Sequence, residues 1–161
     1  DPLGMKSAYM QGYSKPAVES ELPLASFTMN DVDGTAIPGL PELDYAGGGV
    51  VATLDDYRTF MQALVNHRLV SADTLETMLS DDVRSYPTMR YGYGIWKFVT
   101  IPLLMPKKYT CWGCAGATGA FMFYHPRTES TVIGTFNDTS YMSKGLRWMV
   151  SNVVRRLPKA E

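Results

Sequence analysis

Much that would point straight to a function is scarce in this sequence. Its 161 residues include only two cysteines and two histidines. A zinc site built on the cysteines would therefore need ligands from far away in the chain. No apolar run approaches the ~20 residues of a membrane-spanning helix, and no charged-then-apolar leader opens the chain. The formal net charge is −1, so the overall balance gives no electrostatic argument for nucleic acid or an anionic membrane. Internal repeats and low-complexity tracts are absent. What remains is ordinary: 45% hydrophobic and 19% charged residues, the make-up of a globular chain. The length is one domain's worth and enough for a real core. The chain opens at Asp1 without Met, which fits either processing or a piece cut from something longer.

Residues 1–44 read as the end of a helical region followed by a long surface excursion. Pro2-Leu-Gly-Met5 has the form of a helix close, with Gly4 as its stop. Pro16, Pro23, Pro38 and Pro41 then punctuate a stretch of little periodicity, in which Ala25–Met29 is the strand-like piece. Asp31-Val-Asp-Gly34 reads as a turn. It lacks the spaced ligands and terminal Glu of a calcium loop. Residues 45–80 carry the helices. After Ala46-Gly-Gly-Gly49, Thr53 is a good N-cap with Asp55 and Asp56 in the first turn. Leu54, Tyr57, Phe60, Met61, Leu64 and Val65 recur at helical spacing to about His67. The glycine run has no following Lys and no phosphate-loop pattern, so it reads as a structural turn. Ser71 caps a second helix, Ala72 to Leu79.

Residues 91–161 should hold antiparallel strands and a C-terminal helix. Tyr91–Val99 alternates like one strand, and Ile101–Lys108, with two prolines, reads as a loop. Ser140–Leu157 shows one apolar stripe from Leu146 to Leu157. Arg155 and Arg156 close it where the helix dipole favours cations, and they read as a solvated helix end.

The most informative stretch is Thr110–Asp138. Ala120–Tyr124 and Thr131–Asn137 are short, aromatic or β-branched runs separated by a Pro-bearing turn that includes His125, the signature of a hairpin. In front of them Gly113, Gly116 and Gly119 recur every third residue. So many missing side chains weaken a strand unless something approaches its backbone closely. The run Gly113-Cys-Ala-Gly-Ala-Thr-Gly119 resembles the third motif of the serine β-lactamase and penicillin-binding-protein-like family. The branch it matches is class C, which also holds esterases and D-amino-acid peptidases. Asp1–Tyr9, Tyr45–Tyr57 and Tyr91–Trp96 agree with that family in order and spacing, over nearly the whole chain but only the C-terminal half of the family's domain. The resemblance implies an α+β fold, an antiparallel sheet flanked by helices, here as a single incomplete domain over residues 1–161. It also implies a bacterial setting, extracytoplasmic or cytoplasmic, and no cofactor.

The family's reaction is acyl transfer to water through an acyl-serine, from an amide, ester or lactam. It needs an activated serine, a general base and oxyanion donors around one carbonyl carbon. The first motif, Ser-x-x-Lys, is absent: Leu3, Gly12, Gly94, Leu104, Met105, Tyr141 and Arg156 stand three residues before the lysines. Tyr-x-Asn and Ser-x-Asn are absent too, since Thr28, Leu64, Thr135 and Val150 precede the asparagines by two. No Gly-x-Ser-x-Gly elbow replaces them. Within the third motif, Cys114 stands where the resemblance calls for Lys or His, and Ala115 stands for Ser or Thr. Gly116 is kept, and the N–H of Ala117 takes the place of the strand's oxyanion donor. A neutral thiol supplies neither a fixed cation nor a proton relay.

The expectation is a C-terminal portion of such a hydrolase, inactive alone, with a small acyl substrate bound only by the intact parent. Its partner would be the missing N-terminal half, or a second copy through strand Thr131–Asn137. A non-catalytic interaction module is the alternative. A Cys111-x-x-Cys114 redox or metal protein is a weaker one, because the flanks are strand-like and no helix follows to activate a thiolate. Odd spacing puts the two thiols on opposite faces of a strand, so both are expected free and metal-less.

Overall fold

The computed structural model describes residues 2–10, 28–29, 32–33, 48–101, 103 and 109–158, with the backbone alone at residues 10, 28–29 and 32–33. Four short strands come first. β1 (Tyr9–Met10) pairs antiparallel with β4 (Val50–Val51), and β2 (Thr28–Met29) pairs with β3 (Val32–Asp33). Residues 2–3 form a turn and Gly4 sits at φ 71°, the left-handed conformation that a helix stop takes; a helix ahead of it lies outside the described residues. The amides of Lys6 and Ser7 donate to the Asp56 carboxylate. Val32 and Asp33 belong to a strand, not to the turn read over Asp31–Gly34. Ala25–Phe27 and Ala46–Gly47 lie outside the described residues.

The helices begin where their caps predicted. α1 (Leu54–Val65) is capped by the Thr53 hydroxyl, which accepts from the Asp56 amide at 3.1 Å. It ends in a Schellman motif: Arg68 N–H donates to the Ala63 carbonyl and His67 N–H to Leu64, with His67 at φ 58°. α2 (Ala72–Ser80) is capped by Ser71 through the Thr74 amide. α3 (Met142–Asn152) follows a 3-10 turn at Thr139–Tyr141 and leads into another at Val154–Arg156. The expected terminal helix is therefore present, in three pieces.

Six strands form an antiparallel meander: β5 (Val83–Tyr86), β6 (Met89–Tyr91), β7 (Trp96–Phe98), β8 (Cys111–Ala115), β9 (Phe121–His125) and β10 (Ser130–Gly134). Their order is β10-β9-β8-β7-β6-β5, each strand beside its neighbour in sequence. The single strand read over Tyr91–Val99 is two strands joined by a tight turn, closed by Gly92 N–H to the Ile95 carbonyl, with Gly94 at φ +71°. β10 stops at Gly134, short of the expected Asn137, because the Phe136 amide leaves the ladder for the Gly119 carbonyl. β5 had no periodic signal of its own; all four of its residues are exposed.

Strand alternation builds a core on each side of this sheet. Cys111, Phe121 and Phe123 pack with Met149, Val150 and Val154 on the α3 side. Trp112, with Met122 and Tyr124, meets Met61, Leu75 and Ile95 on the α1 and α2 side. Full burial of a side chain such as Phe123 contributes about 1.5–3 kcal/mol. His125, read as a turn residue, is the last residue of β9 and only 2% exposed, with Nδ1 2.7 Å from the Thr128 hydroxyl. It shares the Phe121–Phe123 face, and that parity carries it inward.

Asp82 joins α2 to the sheet. Its side chain is 2% exposed, paired with Lys97 and Arg90, and Lys97 also donates to the Leu79 carbonyl. Burial pushes the Asp82 carboxyl up, but its bonds to Lys97 and Arg90 and their charges bring it below the ordinary carboxylate value. A carboxyl depressed in the fold stabilises it fully above the unfolded pKa, and that contribution disappears as pH falls through the folded value. Stability of the chain should therefore fall as pH drops below ~4, and Asp82→Asn should flatten that fall. Because the Arg90 side chain is 42% exposed, the loss at pH 7 should be only about 1 kcal/mol. Urea midpoints measured from pH 7 to pH 3 check both points.

Candidate functional site

The third-motif residues lie at the closed end of the β8–β9 hairpin. Cys114 and Ala115 end β8, while Gly116 and Ala117 lie past the strand, a correction to their reading as one strand. The cause is the turn: Gly116 N–H donates to the Ala120 carbonyl at 2.8 Å, and Gly119 N–H returns to the Gly116 carbonyl at 3.1 Å. Gly119 sits at φ +72°, and a Cβ there would meet Tyr141 Cβ at 2.8 Å. Asp138 N–H donates to the Thr118 carbonyl, so the loop after β10 braces the same turn. Ala117 is exposed, and no backbone carbonyl among the described residues accepts its N–H.

Cys114 points to the α1 side of the sheet and Ala115 to the α3 side, where it borders the Phe121 core. Tyr57 on α1 is the unforeseen neighbour. Burial raises its phenol pKa, and the nearby Cys114 sulfur raises it further. The Tyr57 hydroxyl donates to the Val50 carbonyl at 2.9 Å, which ties α1 to β4. Asp56, one residue earlier and 7% exposed, anchors the segment entering from upstream. Burial pushes its carboxyl up, yet the Thr53 hydroxyl and the amides of Ser7, Lys6 and Thr53 hold it below the ordinary value. Thr53 and Asp56 thus bond reciprocally as a capping box, a signal the sequence carried. The contact of Asp56 with residues 6 and 7 had no local signal.

The two thiols diverge as their spacing requires. Cys111 is 0% exposed and Cys114 is exposed, both free. Three residues of extended strand separate their Cα atoms by about 10 Å, beyond the reach of a disulfide. Among the described residues no group of three or more His, Cys, Asp and Glu could hold a metal ion. Burial pushes the Cys111 thiol up to about 12. Burial raises Cys114 as well, against a lowering by a backbone hydrogen bond from Ala115. One thiol per native chain should therefore react with DTNB, more slowly than free cysteine at pH 7.5 and faster as pH rises. The second should react only in denaturant. Cys114→Ser should abolish native labelling, and two equivalents in the native state would contradict this geometry.

No protein-family model matches the chain, and no curated protein sequence matches it significantly. Solved structures do. A D-stereospecific amidohydrolase from Streptomyces sp. superposes with a TM-score of 0.59 at 20% identity, over 92% of this chain and 44% of that one. A penicillin binding protein from Bacillus halodurans superposes with a TM-score of 0.62 at 17% identity, over 92% of this chain and 45% of that one. The likeness is one of fold, which in this chain is a six-stranded antiparallel sheet with helices on both faces, the last of them C-terminal. The chain is a partial β-lactamase/transpeptidase fold, of class α+β, that spans less than half the length of either protein.

Proposed function

We propose that this chain is the sheet-bearing part of a serine acyl hydrolase, working only with a segment that brings the nucleophile and base. The single observation that carries this reading is the hairpin end at Cys114–Ala117. There an exposed, unengaged Ala117 N–H is held on a braced turn, on a fold otherwise found in an amidohydrolase and a penicillin binding protein. An oxyanion donor must be fixed before the charge develops, and a turn tied to Asp138 and Gly119 meets that requirement. The substrate class would be a small amide, ester or lactam.

Alone, the chain has no serine three residues before a lysine, and binding plus oxyanion donors leave only a residual rate. It should not hydrolyse nitrocefin or a p-nitrophenyl ester above background. Stoichiometric labelling of one serine by a fluorophosphonate probe would overturn the assignment of the nucleophile to another segment. A second reading, a non-catalytic interaction module, is favoured by Cys114 and Ala115, which offer neither cation nor hydroxyl. Sequence upstream of Asp1 separates the two: Ser-x-x-Lys and Tyr-x-Asn there support the hydrolase, and their absence supports the module.

A further inference from the structure

The net charge of −1 conceals a segregation of charge that the fold makes one-sided. Residues 139–158 contain Lys144, Arg147, Arg155 and Arg156 and no Asp or Glu. Removing those four from the 15 Lys and Arg of the chain leaves the 16 Asp and Glu in clear excess elsewhere. On α3, Gly145, Met149 and Val150 turn inward. Lys144, Arg147, Trp148 and Ser151, at i, i+3, i+4 and i+7, form the opposite, exposed face, and Arg155 extends it beyond the helix.

Trp148 is central to this face and 47% exposed, and Met142 at the helix start is 59% exposed. Its indole is not loose: Phe136 meets it edge-on at 5.5 Å between centroids. The ion pairs among the described residues are Arg58–Asp55, Arg90–Asp82 and Lys97–Asp82, none of them on this face. Arg156 bonds back to the Asn152 carbonyl; Lys144, its ammonium 5.8 Å from the exposed Tyr141 ring, Arg147 and Arg155 are the exposed cations of this face.

We propose that this face docks on an anionic membrane surface, with Trp148 at the headgroup level and the three cations over acidic lipid. Two observations favour a bilayer over a soluble polyanion. A half-exposed indole, here set edge-on against Phe136, is a side chain that partitions into a membrane interface. Long cationic side chains around it can extend to headgroups while their stems cover apolar surface. No helix of the described chain is long and apolar enough to cross a membrane, so the contact is peripheral. It stands independently of the hydrolase reading.

The test is sedimentation of the 161-residue chain with vesicles of phosphatidylglycerol and phosphatidylcholine, and with phosphatidylcholine alone. Binding is expected to the first only, weakening as salt is raised, with a blue shift of tryptophan fluorescence that Trp148→Phe removes. Each cation near such a surface is worth about fivefold in partition. Lys144→Gln, Arg147→Gln and Arg155→Gln together should lower binding by about a hundredfold, with circular dichroism unchanged. If that variant does not fold, the salt series and Trp148→Phe decide. Equal binding to neutral vesicles, binding retained in the triple variant, or capture by a short DNA duplex without binding to vesicles would overturn the proposal.

Discussion

Gly113→Ala should strongly destabilise the native sheet, the largest effect expected of a methyl group added at a described glycine. Gly113 lies mid-strand in β8, opposite Phe123 in β9. A Cβ built on it falls 1.9 Å from the Met122 carbonyl oxygen and 2.7 Å from the Phe123 Cα. The obstacle is the backbone of a central strand, which cannot rotate aside as a side chain could. To admit the methyl, β8 and β9 must separate, and that exposes Cys111 and Phe123, both 0% exposed in the fold. The expected loss is at least about 3 kcal/mol, out of a total near 5–15 kcal/mol. Gly116→Ala is the control, since its Cβ would meet only Ala120 Cβ at 3.7 Å and Thr118 Oγ1 at 4.0 Å. Urea midpoints of the two variants check the contrast. A Gly113→Ala protein with the midpoint of the unmodified chain would refute it.

The second large effect is in assembly. β10 is the outer strand of the six-stranded sheet among the described residues. Its sequence, Ser-Thr-Val-Ile-Gly, has no proline or charge to block strand addition. A groove of about 540 Å³ runs beside it, lined by Leu54, Val65, Tyr124, Thr131 and Ile133 among others. We propose that the isolated chain covers this edge with a second copy, because identical edges pair antiparallel across a two-fold axis. Light scattering across a dilution series should report a dimer or larger species at tens of micromolar. Thr131→Lys, which places a charge on the edge, should shift it toward monomer with its circular dichroism intact. A monodisperse monomer of the unmodified chain at that concentration would defeat the proposal. Under the proposed function, a segment that supplies the nucleophile and base would fill this edge instead and remove the self-association, since one edge accepts one partner.

Much of this fold was legible locally. Thr53 and Ser71 announced their helices because a cap depends only on the next three residues. The apolar stripes of α1 and α3 follow from a 3.6-residue period, and the opposed thiols of Cys111 and Cys114 follow from a two-residue one. The hairpin of β9 and β10 was readable from its aromatic and β-branched runs. Local signals misled where a contact distant in sequence took over. The amides of residues 6 and 7 lie on Asp56, a contact that nothing local announced. Tyr91–Val99 looked continuous because a strand's alternation does not show the reversal at Gly94. Other contacts were decided by tertiary structure alone: Tyr57 beside Cys114, Asp82 between Lys97 and Arg90, and the backbone of β9 against Gly113. Periodicity fixes which face a residue occupies. Only the packing of the sheet against α1, α2 and α3 decides what it meets there.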